Sequence, residues 1–342
     1  MIRVVSIEDA LGYPLAHDIT EIRPGEFRGP AFQRGHILND RDLEHLRRLG
    51  KNHLYVLKPE QDEMHEDDAA EAIASALAGP GVSWQGPPRE GKVSLKATCD
   101  GLFKVDVEAL LQFNLLGDVM CATKHCNSIV KKGEKVAVTR AIPLVIARSR
   151  VEEAIRAARS AAAGVLRVAP LKKARVGVMI IGNEVYSGRI KDKFEPVIRQ
   201  KVNQFDGRIV DILFLPDDDR RIGEAAHRLI AQGADVLITT GGMSVDPDDR
   251  TRFALEKAGA RDMVYGSAVA PGAMFMIAYL DTVPALGIPS CGIYSVTTIF
   301  DLIYPRVLAG EKITRLDVAL LGHGGLCEHC PTCDYPHCAF GK

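Results

Sequence analysis

The second half of this sequence predicts an α/β fold, a parallel sheet flanked by helices, preceded by a smaller β-rich α+β region. Three observations carry that reading. From Arg175 onward, short uninterrupted apolar runs alternate with amphipathic helical segments, the pattern of parallel strands covered on both faces. Upstream, the apolar runs are separated by Pro- and Gly-containing turns with few helical stretches between them. The composition is that of a globular protein, with 46% hydrophobic and 25% charged residues over 342 positions, which excludes a disordered chain.

Taken in order, residues 1–60 read as a small α+β region. Asp40 to Leu49 places Leu43, Leu46 and Leu49 at a helical step with Gly50 as the stop signal, and His53 to Leu57 follows as a strand. Residues 61–91 are an acidic, then alanine-rich helix and a linker, punctuated by Gly79-Pro80-Gly81 and Gly86-Pro87-Pro88, with Trp84 as an anchor packed beneath. Residues 92–150 are β-rich, with strands at Lys92 to Thr98, Val119 to Lys124 and Val136 to Ile146 and a short helix near Asp106 to Phe113. Residues 151–173 carry a polar, alanine-rich helix whose composition suits a solvated connector.

The α/β domain is placed at residues 174–312. Its strands are Val176 to Ile181, Ile209 to Leu215, Asp235 to Thr240, Ala273 to Leu280 and Val283 to Ile288. Its helices are Lys193 to Val202, Asp219 to Gln232, Asp249 to Ala258 and Tyr294 to Leu308, the last expected to kink or end early at Pro305. A tail, residues 313–342, completes the chain.

A net charge of −1 gives no whole-chain field favouring nucleic acid or an anionic membrane. No stretch approaches the roughly 18–20 apolar residues of a membrane helix, and the first residues lack a signal peptide's apolar run, so the expectation is a soluble cytoplasmic protein with no membrane or nucleic-acid partner.

In an open parallel sheet, ligands bind where strands end. Three such loops hold the candidate residues: Gly182, Asn183, Glu184, Ser187 and Asp192 after the first strand; Asp217, Asp218 and Asp219 after the second; Thr240, Gly241, Gly242, Met243, Ser244, Asp246, Asp248 and Asp249 after the third. Adjacent glycines let backbone N–H groups approach a phosphate without Cβ interference, and Thr240 and Ser244 add hydroxyls. The aspartates would repel a bare phosphate, so magnesium bridging carboxylate and phosphate suits the loop. Helix capping competes for these residues: Asp248 or Asp249, one of Asp217 to Asp219, and Asp192 with Glu195 all precede helices. Glu184 has no such structural duty in sight.

The run Thr239-Thr240-Gly241-Gly242-Met243-Ser244 with Asp249, preceded by Gly182-Asn183-Glu184 and Asp192, resembles the molybdopterin-binding domain of molybdenum cofactor biosynthesis proteins over roughly residues 174–310. The Gly-Asn-Glu and Gly-Gly-Met-Ser forms are similar to the molybdopterin molybdenumtransferase branch. The resemblance implies a protein that binds molybdopterin, or its adenylylated form, with Mg2+, and inserts molybdate into the dithiolene. It implies catalytic roles for Glu184, Asp218 and Asp249, cofactor contacts from Gly182, Asn183, Ser187, Asp192, Thr240, Gly241, Gly242, Met243, Ser244 and Asp246, and a homodimer serving a molybdoenzyme client.

The departures are equally specific. Asn183 stands where that branch usually has Asp, and Pro271-Gly272 is flanked by Ala270 and Ala273 instead of lysines, leaving Arg250 and Arg252 as replacement cations. The Met-Asp-Gly-Tyr-type motif is missing from residues 1–150. These losses favour a second reading, a non-catalytic molybdopterin carrier or sensor that assists molybdoenzyme maturation. An adenylyl-transfer role ranks behind both.

Four of the eight cysteines, Cys327, Cys330, Cys333 and Cys338, crowd the last sixteen residues. Two two-residue spacings and one four-residue spacing point to a metal site, either an iron–sulfur cluster or Zn2+, with His329 and His337 as further zinc candidates. Cys291 reads as a buried, inert thiol.

Overall fold

A computed structural model describes residues 2–57, 62–89, 91–243, 246 and 249–342. They form two units, one of residues 1–99, 103–124 and 130–168, the other of residues 100–102, 125–129 and 169–342.

The first unit has two apolar clusters. In one, strand Ile2–Ser6 pairs antiparallel with His53–Leu57, and helix Asp40–Arg48 buries Leu46 beside Ile7, Leu15 and Leu38. An Asn39/Asp42 capping box starts that helix where the sequence places its N-terminus. The other cluster lies between helices and a four-stranded sheet ordered Val82–Ser83, Lys92–Ala97, Lys135–Ala141, Val119–Thr123. Along Lys92–Ala97 the exposed/buried alternation sends Val93, Leu95 and Ala97 inward, as a one-sided strand requires. Helix Arg148–Arg159 is no free connector: Val151, Ala154 and Ala158 are buried in this cluster, packed against helix Glu66–Leu77. Its alanines are a close-packing stripe, which composition alone does not distinguish from a solvated face.

The second unit contains strands β1 (Arg175–Ile181), β2 (Arg208–Leu215), β3 (Val236–Thr240), β4 (Arg261–Tyr265), β5 (Met276–Leu280) and β6 (Val283–Ile288). Its helices are α1 (Asn183–Tyr186), α2 (Phe194–Asn203), α3 (Asp219–Ala231), α4 (Thr251–Lys257), α5 (Ile299–Leu308) and α6 (Arg315–Leu320). The sheet order is β2-β1-β3-β6-β5-β4. The first four are parallel, while β5 and β4 are antiparallel additions at one edge, so the sheet is mixed rather than wholly parallel. Strand β4 escapes the sequence reading because an edge strand with the polar start Arg261-Asp262 lacks a continuous apolar run.

Successive side chains of a strand point to opposite faces. Val176, Val178 and Ile180 of β1 accordingly enter one layer with α2 and α5, and Met179 and Ile181 enter the other with α3 and α4. Register places Ile180 beside Thr240 and Thr240 beside Ile288, so the loops after β1, β3 and β6 emerge side by side.

Helix α5 begins at Ile299, later than the expected Tyr294, and runs through Pro305 to Leu308 instead of ending early. A proline at this position removes the N–H that would bond the carbonyl four residues back, here Asp301. The Tyr335 hydroxyl donates to that Asp301 carbonyl at 3.3 Å, so the tail satisfies the group that Pro305 orphans. None of the described helices is long and apolar enough to cross a membrane.

Candidate functional site

The loops after β1, β3 and β6, with the segment after β4, enclose a cavity of about 720 Å3. From the β3 loop, Gly241, Gly242 and Met243 line it. Gly241 and Gly242 have φ of +81° and +59°, the left-handed region that favours glycine. Both carbonyls are committed to Thr251, which is fully buried: Gly241 accepts from its hydroxyl at 2.9 Å and Gly242 from its N–H at 3.1 Å. Thr251 therefore shapes the glycine turn, a role that only its spatial position reveals.

Met243, 5% exposed, seats its sulfur against Gly287 of β6, where any Cβ would collide, and its carbonyl accepts from the Tyr265 hydroxyl at 2.7 Å. Asp249 also lines the cavity. Its Oδ2 accepts the Asp246 N–H at 3.0 Å, and its own N–H donates to the Asp246 carbonyl at 2.9 Å, closing the turn that carries it. Asp246 itself is exposed and outside the lining. Ser244 and Asp248 lie outside the described residues.

From the β1 loop, Glu184 and Asp192 line the cavity. Asp192 also caps α2, its Oδ1 accepting the Phe194 N–H at 3.0 Å and its Oδ2 the Glu195 N–H at 2.8 Å, while Glu195 turns to Arg199. Gly182, Asn183 and Ser187 are not among the lining residues. The Asn183 N–H donates to Asp217 Oδ2 at 2.9 Å and the Asp217 N–H returns a bond to Asn183 Oδ1 at 3.3 Å, clasping the first two loops together. Ser187 donates to the Glu184 carbonyl at 3.4 Å.

Asp218 caps α3, accepting the Arg221 N–H at 2.8 Å, and does not line the cavity. Thr240 is fully buried in the sheet, its hydroxyl without a hydrogen-bond partner among the described residues.

Cations reach the cavity from a direction the sequence reading missed. Lys191 and Lys193 line it, flanking Asp192, whereas Arg250 and Arg252 do not. Arg250 makes a two-pronged bond to Asp219, Nε to Oδ1 and Nη2 to Oδ2, each 2.8 Å, and Arg252 lies 4.6 Å over the rings of both Phe253 and Tyr265. The visible signal for the lysines was their alternation with Asp192 in a loop already singled out.

Arg250 and Lys257 hold the Asp219 carboxyl down at about 2, tying both ends of α4 to the start of α3. A depressed folded-state value stabilises above the ordinary carboxylate pKa and is lost on acidification. The contribution of this clamp should be intact above a pH of about 4 and vanish by about 2. Denaturation midpoints of the protein and its Asp219→Asn variant should thus differ at neutral pH and converge across that window.

Across the cavity stand Ala270, Pro271, Gly272 and Ala273 with Ser290, Cys291 and Tyr294. Cys291 is half-buried at the cavity wall, not fully buried as expected, and that burial raises its thiol pKa and favours the uncharged form. Tyr294 also lines a second cavity of about 510 Å3, formed with the tail and bordered by Cys327, Cys330, Cys333 and Cys338. Among the described residues, no three His, Cys, Asp or Glu side chains converge to hold a single metal ion. The metal site expected at the tail cysteines, iron–sulfur or zinc, is therefore not formed among the described residues, although all four thiols border one cavity.

Residues 177–309 match the family model described as a probable molybdopterin binding domain, and residues 4–58 match a domain of unknown function (DUF8806). The molybdopterin molybdenumtransferase of Haemophilus influenzae is 28% identical over 161 residues, 44% of this chain and 39% of that protein. A CinA-like protein of Syntrophus aciditrophicus is 34% identical over 84 residues, 25% of this chain and 20% of that protein. The chain thus spans about two-fifths or less of the length of these two relatives. Among solved structures, a molybdopterin biosynthesis MoeA protein from Pyrococcus horikosii aligns over 91% of this chain and 75% of its own, with 15% identity and a TM-score of 0.33. The segment 177–309, which carries the glycine turn and the strand-end cavity, is thus similar to the probable molybdopterin binding domain family.

Proposed function

We propose that this protein binds molybdopterin, or its adenylylated form, in the 720 Å3 cavity and serves insertion of molybdate into the dithiolene in the cytoplasm. The observation that carries the reading is the convergence on one cavity of the Gly241-Gly242 turn, two lysines and three carboxylates. The glycine turn receives the phosphate, since a backbone without Cβ atoms admits an anion closely. Lys191 and Lys193 neutralise that anion, replacing the lysines absent around Pro271-Gly272.

Magnesium suits the donor set in its usual mode, one or two carboxylates completed by substrate phosphate and water. Glu184 and Asp249 would hold it, and it would supply positive charge against the anions bound there. Asp192 has both oxygens engaged by helix N–H groups and acts by positioning the lysine-bearing loop. Insertion needs molybdate held beside its acceptor more than it needs a proton shuttle. A homodimer and a molybdoenzyme client belong to the same reading.

The replacement of flanking lysines by Ala270 and Ala273 supports a second reading, a carrier or sensor that retains the pterin without loading metal. One experiment separates the two. Protein purified anaerobically is incubated with adenylylated molybdopterin, magnesium and molybdate, and an apo-molybdoenzyme is assayed for activation. Insertion predicts activation that falls at least about tenfold in Glu184→Gln while pterin is still retained. Retention without activation establishes the carrier.

In either case, Lys191→Ala and Lys193→Ala should each weaken pterin binding about tenfold, the size of one lost charge-assisted hydrogen bond. Unchanged affinity in the double variant would place the anion elsewhere.

A further inference from the structure

Helix α2 has two working faces. Ile198 and Val202 enter the core of the second unit, while Val197, Gln200, Lys201 and Gln204 fall at i, i+3, i+4 and i+7, one stripe along the helix and its cap. That stripe lines a third cavity, of about 350 Å3, walled also by residues 292–297 and by Phe300, Asp301 and Tyr304 of α5. A volume of this order suits a small organic molecule.

The lining is aromatic and electrically neutral. Phe205, Tyr294, Phe300, Tyr304 and Tyr335 all border it, in a chain with only 11 Phe, 8 Tyr and 1 Trp. Such walls favour a flat ring, by stacking or by edge contact. The charged residues of the lining are Lys201 and Asp301, and their ion pair at 2.5 Å cancels. A bare anion therefore meets no net attraction here, unlike in the glycine-turn cavity with its Lys191 and Lys193. An ammonium carries three N–H donors. Lys201 gives one to Asp301 and one to the Val296 carbonyl at 3.2 Å, its two acceptors among the described residues, and the third is left on a side chain only 8% exposed. Gln200 and Gln204, both exposed, each add an amide donor and an amide acceptor. They stand one helical turn apart, about 5–6 Å between Cβ atoms, a separation that two fused rings bridge more readily than one.

We propose that this cavity binds an uncharged bicyclic nitrogen heterocycle. Its ring lies against the aromatic wall, a ring nitrogen or carbonyl oxygen accepts from Lys201, and its polar edge pairs with the amides of Gln200 and Gln204. The purine of a nucleoside and a free pterin ring share this chemistry. The assignment is independent of what the glycine-turn cavity binds.

The test dialyses the full-length protein to equilibrium against adenosine, guanosine or unsubstituted pterin. At least one should bind with Kd below about 1 mM, and the one that binds identifies the source of the ring. The double variant Gln200→Ala with Gln204→Ala should keep the parent's circular dichroism, since both side chains are exposed, and bind about tenfold more weakly. Lys201→Met with Asp301→Asn removes the donor, leaves the cavity neutral and should bind at least as weakly. Lys191→Ala with Lys193→Ala should bind as the parent does, which separates this site from the glycine-turn cavity. A 5′-monophosphate should bind within about threefold of its nucleoside, because the lining carries no net charge. Binding of none of the three at about 1 mM, unchanged binding in the glutamine variant, loss in the Lys191/Lys193 variant, or a monophosphate more than about tenfold tighter than its nucleoside overturns the proposal.

Discussion

Gly241→Ala is expected to abolish pterin retention and destabilise the second unit together. Residue 241 sits at φ +81°, where a non-glycine residue costs about 1–3 kcal/mol. The new Cβ would also run into the Ile181 carbonyl at the end of β1. A backbone carbonyl inside a sheet cannot swing aside as a side-chain tip does, so an overpacking cost of about 1–3 kcal/mol adds to the strain. Against a typical total of about 5–15 kcal/mol this is a large share. Urea denaturation of the full chain should show the midpoint for the second unit clearly lowered. Gly259→Ala is the control: φ is +99° there too, but nothing lies within 4 Å of the new methyl group. That variant should show the strain alone and keep its pterin. Equal losses in the two variants would mean that the contact with Ile181 is relieved.

Asp301→Asn should be comparably costly. Lys201 and Asp301 form an ion pair at 2.5 Å with side chains only 8% and 14% exposed, and Lys201 also donates to the Val296 carbonyl at 3.2 Å. Asparagine keeps the shape and leaves the Thr298 cap of α5 an acceptor, but it strands a buried ammonium. Removing one partner of such a pair costs about 3–5 kcal/mol, whereas replacing both by neutral groups is often close to neutral. Urea unfolding should therefore show Lys201→Met combined with Asp301→Asn recovering most of the stability lost in Asp301→Asn alone. A double variant as unstable as the sum of the two singles would show that the pair is not coupled.

Much of the fold was legible from local signals. The apolar runs of β1 and β3, the three-step spacing of Leu43, Leu46 and Leu49, and the glycines ending helices each report on a few neighbouring residues. The misses share a different cause. Strand β4 has a polar beginning because it sits at an edge. Helix α5 survives Pro305 because Tyr335, 34 positions beyond Asp301, supplies the missing donor. The alanines of Arg148–Arg159 face a core built mostly from residues 66–141.

The candidate site divides in the same way. Gly241, Gly242, Met243, Glu184, Asp192 and Asp249 were named from loops at strand ends, and the structure brings them to one cavity. Asp218, drawn from the same kind of loop, caps a helix instead. Lys191 and Lys193 passed unnoticed, while Arg250 and Arg252 drew attention they do not repay, one held by Asp219 and the other by two aromatic rings.

What the sequence by itself determined is the alternation of strand and helix, the places where only glycine is free of strain, and the grouping of four thiols. These follow from periodicity, backbone sterics and spacing, all short-range properties of the chain. Only the tertiary structure decided which carboxylates line the cavity and which cap a helix, which cations line it beside them, and that four nearby cysteines border one cavity. An aspartate side chain accepts a hydrogen bond equally well from a helix N–H, a guanidinium or a bound metal's water. Its role is set by whichever donor the fold carries to it, and that donor is often far away in sequence.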